Sequence, residues 1–146
     1  MIFIITLSIL FTDQLTKLLA TRNLLLNQSA PLIKGIFYLT LIHNRGAAFG
    51  ILKNQIPLFI FISIFAIILI YLTLRNNKYK EYSFYNISLA LILAGALGNL
   101  IDRLRLGYVI DFLDFRIWPV FNVADSAITI GAILLGWVIL KGKSQK

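Results

Sequence analysis

Residues 56–74 read Ile-Pro-Leu-Phe-Ile-Phe-Ile-Ser-Ile-Phe-Ala-Ile-Ile-Leu-Ile-Tyr-Leu-Thr-Leu, without one charged side chain. A helix needs roughly 20 mostly apolar residues to cross a hydrocarbon core of about 30 Å, and this stretch meets that requirement. Pro57 suits the first turn of such a helix, where its missing N–H costs nothing. Three more stretches qualify, at about 2–20, 82–101 and 122–140. The expected fold class is therefore an all-α membrane protein, a four-transmembrane-helix bundle forming one integral-membrane domain over 1–146.

Composition agrees. Of 146 residues, 59% are apolar and 14% charged, against about 45–50% and about 25% in soluble domains. Mean hydropathy is +0.85. A soluble fold of this size cannot hide so much hydrocarbon, so an ordinary globular enzyme and a disordered chain are both excluded. The net charge of +8 does not point to nucleic acid as a partner, because the basic residues cluster between apolar runs, as in the loops of membrane proteins. The chain has no cysteine and one histidine, His43. Disulfides, a thiol nucleophile and a multi-histidine metal centre are thereby ruled out. The first stretch lacks a basic leader and is interrupted by Asp13 and Lys17, so it reads as a retained span and not a cleaved signal peptide.

Segment 75–80 and the tail 141–146 each carry three basic residues, whereas 21–55 and 102–121 spread seven over much greater length. Basic density marks the cytoplasmic side, which places both termini inside and the two longer segments outside. Within the first of these, residues 36–42 are β-branched and aromatic, and Asn44-Arg45-Gly46 supplies turn chemistry. A small extracytoplasmic β-sheet between helices 1 and 2 is expected. Neither an internal repeat nor a low-complexity tract is present.

Ionisable groups inside spans are costly and usually face a bundle interior or a water-filled cavity. Here they gather at one level. Asp13 and Lys17 fall in the outward half of the first span; Asn99, Asp102 and Arg103 end the third; Asn122, Asp125 and Ser126 begin the fourth; Asp111 lies in the loop connecting the last two. Spacing gives each helix one polar stripe: Asp13 and Lys17 at i, i+4, then Gly95, Asn99, Asp102 and Arg103, then Asn122, Asp125, Ser126 and Thr129.

With no cysteine, a distant histidine and no Ser–Lys pair at helical spacing, carboxylates are the available reactive groups. Glu81 belongs to a basic loop. Asp13 has Lys17 as an ion partner, and Asp102 is followed by Arg103, so both read as neutralised. Asp111 and Asp125 lack a local cation. Two close carboxylates cannot both ionise cheaply and share a proton. One can then activate water as a base while the other acts as an acid, chemistry that needs neither metal nor cofactor.

Four blocks resemble the lipoprotein signal peptidase (signal peptidase II) family: Asp13-Gln14-Leu15-Thr16-Lys17; Asn44-Arg45-Gly46-Ala47-Ala48-Phe49-Gly50; Gly95-Ala96-Leu97-Gly98-Asn99-Leu100-Ile101-Asp102-Arg103; and Val109-Ile110-Asp111-Phe112 followed by Phe121-Asn122-Val123-Ala124-Asp125-Ser126. They stand in the family's order and span nearly the whole chain. The resemblance implies an aspartic endopeptidase of the bacterial cytoplasmic (inner) membrane, with its active site near the extracytoplasmic face; a monomer is expected. It implies a diacylglyceryl-modified prolipoprotein substrate cut just before the lipidated cysteine, with membrane lipids as the other partners. The catalytic pair would be Asp111 and Asp125. Asn44, Gly46, Asn99, Arg103 and Asn122 would bind substrate or shape the site, and Asp13, Lys17 and Asp102 would support it. The chain departs from the family in having little sequence before the first span and a short segment 112–124 between the two aspartates.

Simpler readings stand beside these. Asp13–Lys17 reads as a buried ion pair, and Asp102–Arg103 equally as an interfacial anchor. His43 reads as a surface or turn residue, Phe49 as packing under the sheet, and Trp118 and Trp137 as interfacial or lipid-facing aromatics. Intramembrane carboxylates also mark ion pathways, but those call for midplane sites and usually repeated halves, which this chain lacks. A structural adaptor would need neither Asp111 nor Asp125.

Overall fold

The computed structural model describes residues 1–46, 52–75 and 83–143. The expectations for Ala47–Gly50, including Phe49, and for Glu81 and the end of the tail lie outside the described residues. Four helices and three strands follow one another as α1 (Ile2–Asn23), β1 (Ser29–Ile33), β2 (Phe37–Asn44), α2 (Ile56–Arg75), α3 (Ser83–Leu106), β3 (Val109–Asp114) and α4 (Val123–Lys143). All four helices are long and apolar enough to cross a membrane.

The bundle is built around α3, which packs on α1, α2 and α4. Half of its span is buried, against 11–17% of the other three, because a run of small side chains lets its neighbours approach. Ala90 and Ala94 are fully buried. A Cβ on Gly95 would press into the Ala124 carbonyl of α4, and one on Gly98 would come within 2.5 Å of an Asp13 carboxyl oxygen of α1. The outer faces carry large exposed apolar residues such as Phe3, Phe11, Phe61, Phe65 and Ile133, as lipid contact requires.

The sheet is antiparallel, in the order β1-β2-β3. Two strands lie between α1 and α2, as expected, but the third comes from the segment after α3. Register places Ile42 opposite Asp111 and Asn44 opposite Val109, with an irregularity between Leu39 and Ile42. Leu41, Ile110, Phe112 and Ala20 form a buried cluster, with Leu24, Leu39, Tyr108, Leu113 and Val123 packed against it. The sheet is thus seated on the end of α1.

Three expectations are corrected. The third helix continues to Leu106, past the expected end near 101, so Asp102 and Arg103 lie on α3, as their stripe implied. It stops where Gly107 takes φ +74° and donates its N–H to the Arg103 carbonyl, 3.1 Å away, a left-handed cap that suits glycine. Asp111 sits on a strand and not in a loop. The first helix likewise runs three residues further, to Asn23.

Candidate active site

β3 and α4 deliver the two carboxylates that the sequence left without a cation. Asp111, in the middle of β3, is almost completely buried. Its Oδ2 accepts an N–H from Asn44 at 2.9 Å, and its Oδ1 accepts one from Asn122 at 2.7 Å. Asp125, in the first turn of α4, accepts Asn99 Nδ2 at 2.7 Å on Oδ1 and the Asn122 backbone N–H at 3.3 Å on Oδ2. In return the Asp125 backbone N–H donates to Asn122 Oδ1 at 2.8 Å. Asn122 therefore caps α4, as its residue type favours, and its amide N–H ties that cap to Asp111.

A second layer lies behind the asparagines. Lys17, 2% exposed, spends its three N–H groups on Asp13 Oδ2 and Asp102 Oδ2, each 2.9 Å away, and on Asn99 Oδ1 at 3.1 Å. The other Asp13 oxygen accepts the N–H of Ala124 at 2.9 Å, and Asp102 Oδ2 also accepts that of Ile110 at 3.1 Å. Ala124 precedes Asp125 and Ile110 precedes Asp111. The ion triad thus grips the backbone one residue ahead of each candidate catalytic carboxylate. This corrects the pairing of Asp102 with Arg103: its partner is Lys17. Gln14, to which the sequence reading assigned no role, donates to Asp13, Asp102 and the Gly98 carbonyl; its place beside Asp13 was the available signal.

Both carboxylates line one cavity of about 460 Å³, within the roughly 300–1,000 Å³ of ordinary ligand sites. Asn44, Gly46, Asn99 and Arg103 share its polar end. Gly46 donates its N–H to Asn44 Oδ1 at 2.9 Å, which turns the Asn44 amide N–H towards Asp111. Phe59, Ile62 and Ala66 of α2, Ile92 and Ala96 of α3, and Ile128 of α4 make an apolar wall, while Trp118–Phe121 cover another side. Asn122 holds the carboxylates from behind. Arg103 extends over the Phe59 ring at 4.9 Å, and its Nε is the one buried side-chain N or O atom among the described residues without a hydrogen-bond partner.

Electrostatics separates Asp111 from an ordinary aspartate. Burial, followed by the negative charge of Asp125, pushes it up to about 7; the hydrogen bonds from Asn44 and Asn122 and the charge of Lys17 act the other way. Such a carboxyl can hold a proton near neutral pH and release it during a reaction. His43 stands apart from the cavity, stacked on Tyr108 with ring centroids 3.9 Å apart. Burial and then Arg45 lower its affinity for a proton.

Four membrane-long helices with two buried carboxylates lining one mostly apolar cavity have the build of a polytopic membrane enzyme. Comparison with known proteins narrows this class. The family described as signal peptidase (SPase) II matches residues 5–141. Relatives named lipoprotein signal peptidase include one from Caldanaerobacter subterraneus, 51% identical over 142 residues covering 96% of each chain. Another, from Halothermothrix orenii, is 48% identical over 135 residues covering 92% of each. A solved structure described as a bacterial membrane enzyme superposes with a TM-score of 0.93 at 34% identity, covering 99% of this chain and 90% of that one. The chain belongs to the signal peptidase II family: it is a multi-pass bacterial inner-membrane peptidase that removes signal peptides from lipoproteins.

Proposed function

We propose that this single-domain, monomeric enzyme is an aspartic endopeptidase that cuts diacylglyceryl-modified prolipoproteins just before the lipidated cysteine, with Asp111 and Asp125 as its catalytic pair. The observation that carries this reading is that both carboxylates open into one cavity while Asn122 donates to each, from its side-chain amide to Asp111 and from its backbone N–H to Asp125. With one proton between them, the ionised carboxylate takes a proton from water as it attacks the scissile carbonyl, and the protonated one donates to the carbonyl oxygen. The tetrahedral intermediate then collapses as the cysteine nitrogen leaves with a proton.

The remaining cavity residues bind and align the substrate. Asn44 and Asn99 hold the carboxylates while offering amide groups to the peptide backbone. Gly46 orients Asn44, and Asn122 keeps the pair in register. The Arg103 guanidinium keeps its charge and has an unused donor for a substrate carbonyl. Asp13, Lys17 and Asp102 support the two elements that bear the pair. The apolar wall suits the signal helix and the acyl chains, since each buried CH₂ contributes about 0.8 kcal/mol.

The reading goes with a site near the extracytoplasmic face and, from the density of basic residues in 75–80 and 141–146, both termini in the cytoplasm. The enzyme's partners are the lipidated substrate and membrane lipid, and its chemistry needs no nucleic acid, metal or cofactor. The test is incubation of the purified protein with a diacylglyceryl-modified lipobox peptide and with its unlipidated twin. Cleavage of the lipidated peptide alone, at the bond before cysteine, is the expected result. Equal cleavage of both, or of neither, contradicts the reading.

A further inference from the structure

A buried lysine between two aspartates is commonly a structural ion pair, and two carboxylates would satisfy that need. Lys17 makes a third bond. Its remaining N–H reaches Asn99 Oδ1 at 3.1 Å, and the same Asn99 donates Nδ2 to Asp125 at 2.7 Å. An asparagine amide can point either way. Asn122 also donates to Asn99 Oδ1 at 3.2 Å, and its own ends are fixed by the Asp125 N–H on its Oδ1 and the Ile110 carbonyl on its Nδ2. An ammonium group has donors only. Lys17, the charged member of the two donors, therefore acts with Asn122 to hold the Asn99 oxygen inward and its N–H towards Asp125.

We propose that Lys17 is a positioning residue for cleavage, which acts through Asn99 to set the ionisation of the Asp111–Asp125 pair. The proposal rests on the catalytic reading of that pair. A fixed N–H aimed at a carboxylate favours its charged form, so the relay from Lys17 through Asn99 to Asp125 keeps the singly ionised pair available. The charged groups facing the pair are Lys17 and Asp13 from α1 and Arg103 from α3, with Asp102 behind them on Lys17. β2 contributes the neutral Asn44, and α2 contributes Phe59 and Ser63 to the same cavity.

The experiment is the pH profile of kcat for a lipidated peptide. Asn99→Ala leaves the ion triad intact and removes the relay. It is expected to move the acid limb upward by about one pH unit and to lower kcat about tenfold. Lys17→Met is expected to move the limb in the same direction, with KM for the peptide within about twofold. Because Lys17→Met strands two buried carboxylates, Lys17→Met/Asp102→Asn is measured beside it. This double variant preserves the net charge of the triad and an oxygen acceptor for the Ile110 N–H, and it is expected to keep the upward-shifted limb. An acid limb at its wild-type pH in either Asn99→Ala or the double variant overturns the proposal. Asp125→Asn separates the two possible failures: if that variant still cleaves, the catalytic reading fails; if it is inert while Asn99→Ala keeps the wild-type limb, only the role of Lys17 fails.

Discussion

Asn122 donates its side-chain N–H to Asp111 Oδ1 at 2.7 Å, from a position on the last residue before α4. The same side chain receives the Asp125 N–H, so one amide couples the end of a helix to the middle of a strand. Asn122→Ala leaves a buried carboxylate oxygen and a helix N–H without these partners. A loss of stability of about 1–3 kcal/mol follows from the abandoned hydrogen bonds, together with a fall in kcat of about a hundredfold. Steady-state kinetics and denaturant unfolding of the purified variant check both, and a kcat within threefold of wild type contradicts the bridging role.

The raised proton affinity of Asp111 makes stability depend on pH in a defined direction. Its ordinary value is 3.8 and its value in the fold is about 7. Folding thus favours the protonated form, and this stabilising contribution is fully present below about pH 4 and lost as pH rises through about 7. Asp111→Asn does not titrate. The melting temperature of the variant relative to wild type should therefore rise steadily between pH 4 and pH 8. A difference that stays constant over that range, measured by thermal unfolding in detergent, contradicts the assignment.

Glycine at 95 is required by contact and not by conformation. An added Cβ would press against the Ala124 carbonyl and come within 2.7 Å of Ile128, whereas nothing lies within 4 Å at Gly136 on the same α4. Gly95→Ala is expected to cost about 1–3 kcal/mol by forcing α4, and Asp125 with it, away from α3. Gly136→Ala is expected to be neutral or stabilising by about 0.5–1 kcal/mol, because alanine is the better helix former. Melting temperatures of the two variants in the same detergent decide the matter; equal losses would contradict it.

Arg103 offers a cleaner separation of binding from folding. Its Nε makes no hydrogen bond within the protein, and the guanidinium rests on Phe59. Arg103→Met keeps the apolar contact and removes the donor, so the melting temperature should stay within a few degrees while KM for a lipidated peptide rises about tenfold. An unchanged KM with a large drop in melting temperature would make Arg103 a structural residue.

The legible and hidden parts of this molecule divide along physical lines. The four spans stand out because crossing hydrocarbon demands a long apolar run, and Ile56–Arg75 is the purest example. The end of α3 was hidden, because Asp102 and Arg103 look like residues that leave a membrane. A buried cation on another helix removes that need, and no local pattern announces it. Pairing Asp102 with Arg103 was wrong for a geometric reason, since adjacent residues on a helix point in different directions. β3 carried its own signal in Val109, Ile110, Phe112 and Leu113, but its pairing with β2 joins segments far apart in the chain. The polar stripes on α1, α3 and α4 were readable from spacing. The backbone anchors at Ile110 and Ala124 were not, because main-chain donors have no sequence signature.

The most direct test of the account is turnover of a diacylglyceryl-modified lipobox peptide by Asp111→Asn and by Asp125→Asn, each purified as a folded, membrane-inserted protein. The account predicts that neither variant releases product, although both keep the shape of the parent's unfolding curve. Cleavage at the parent's rate by either variant would contradict it.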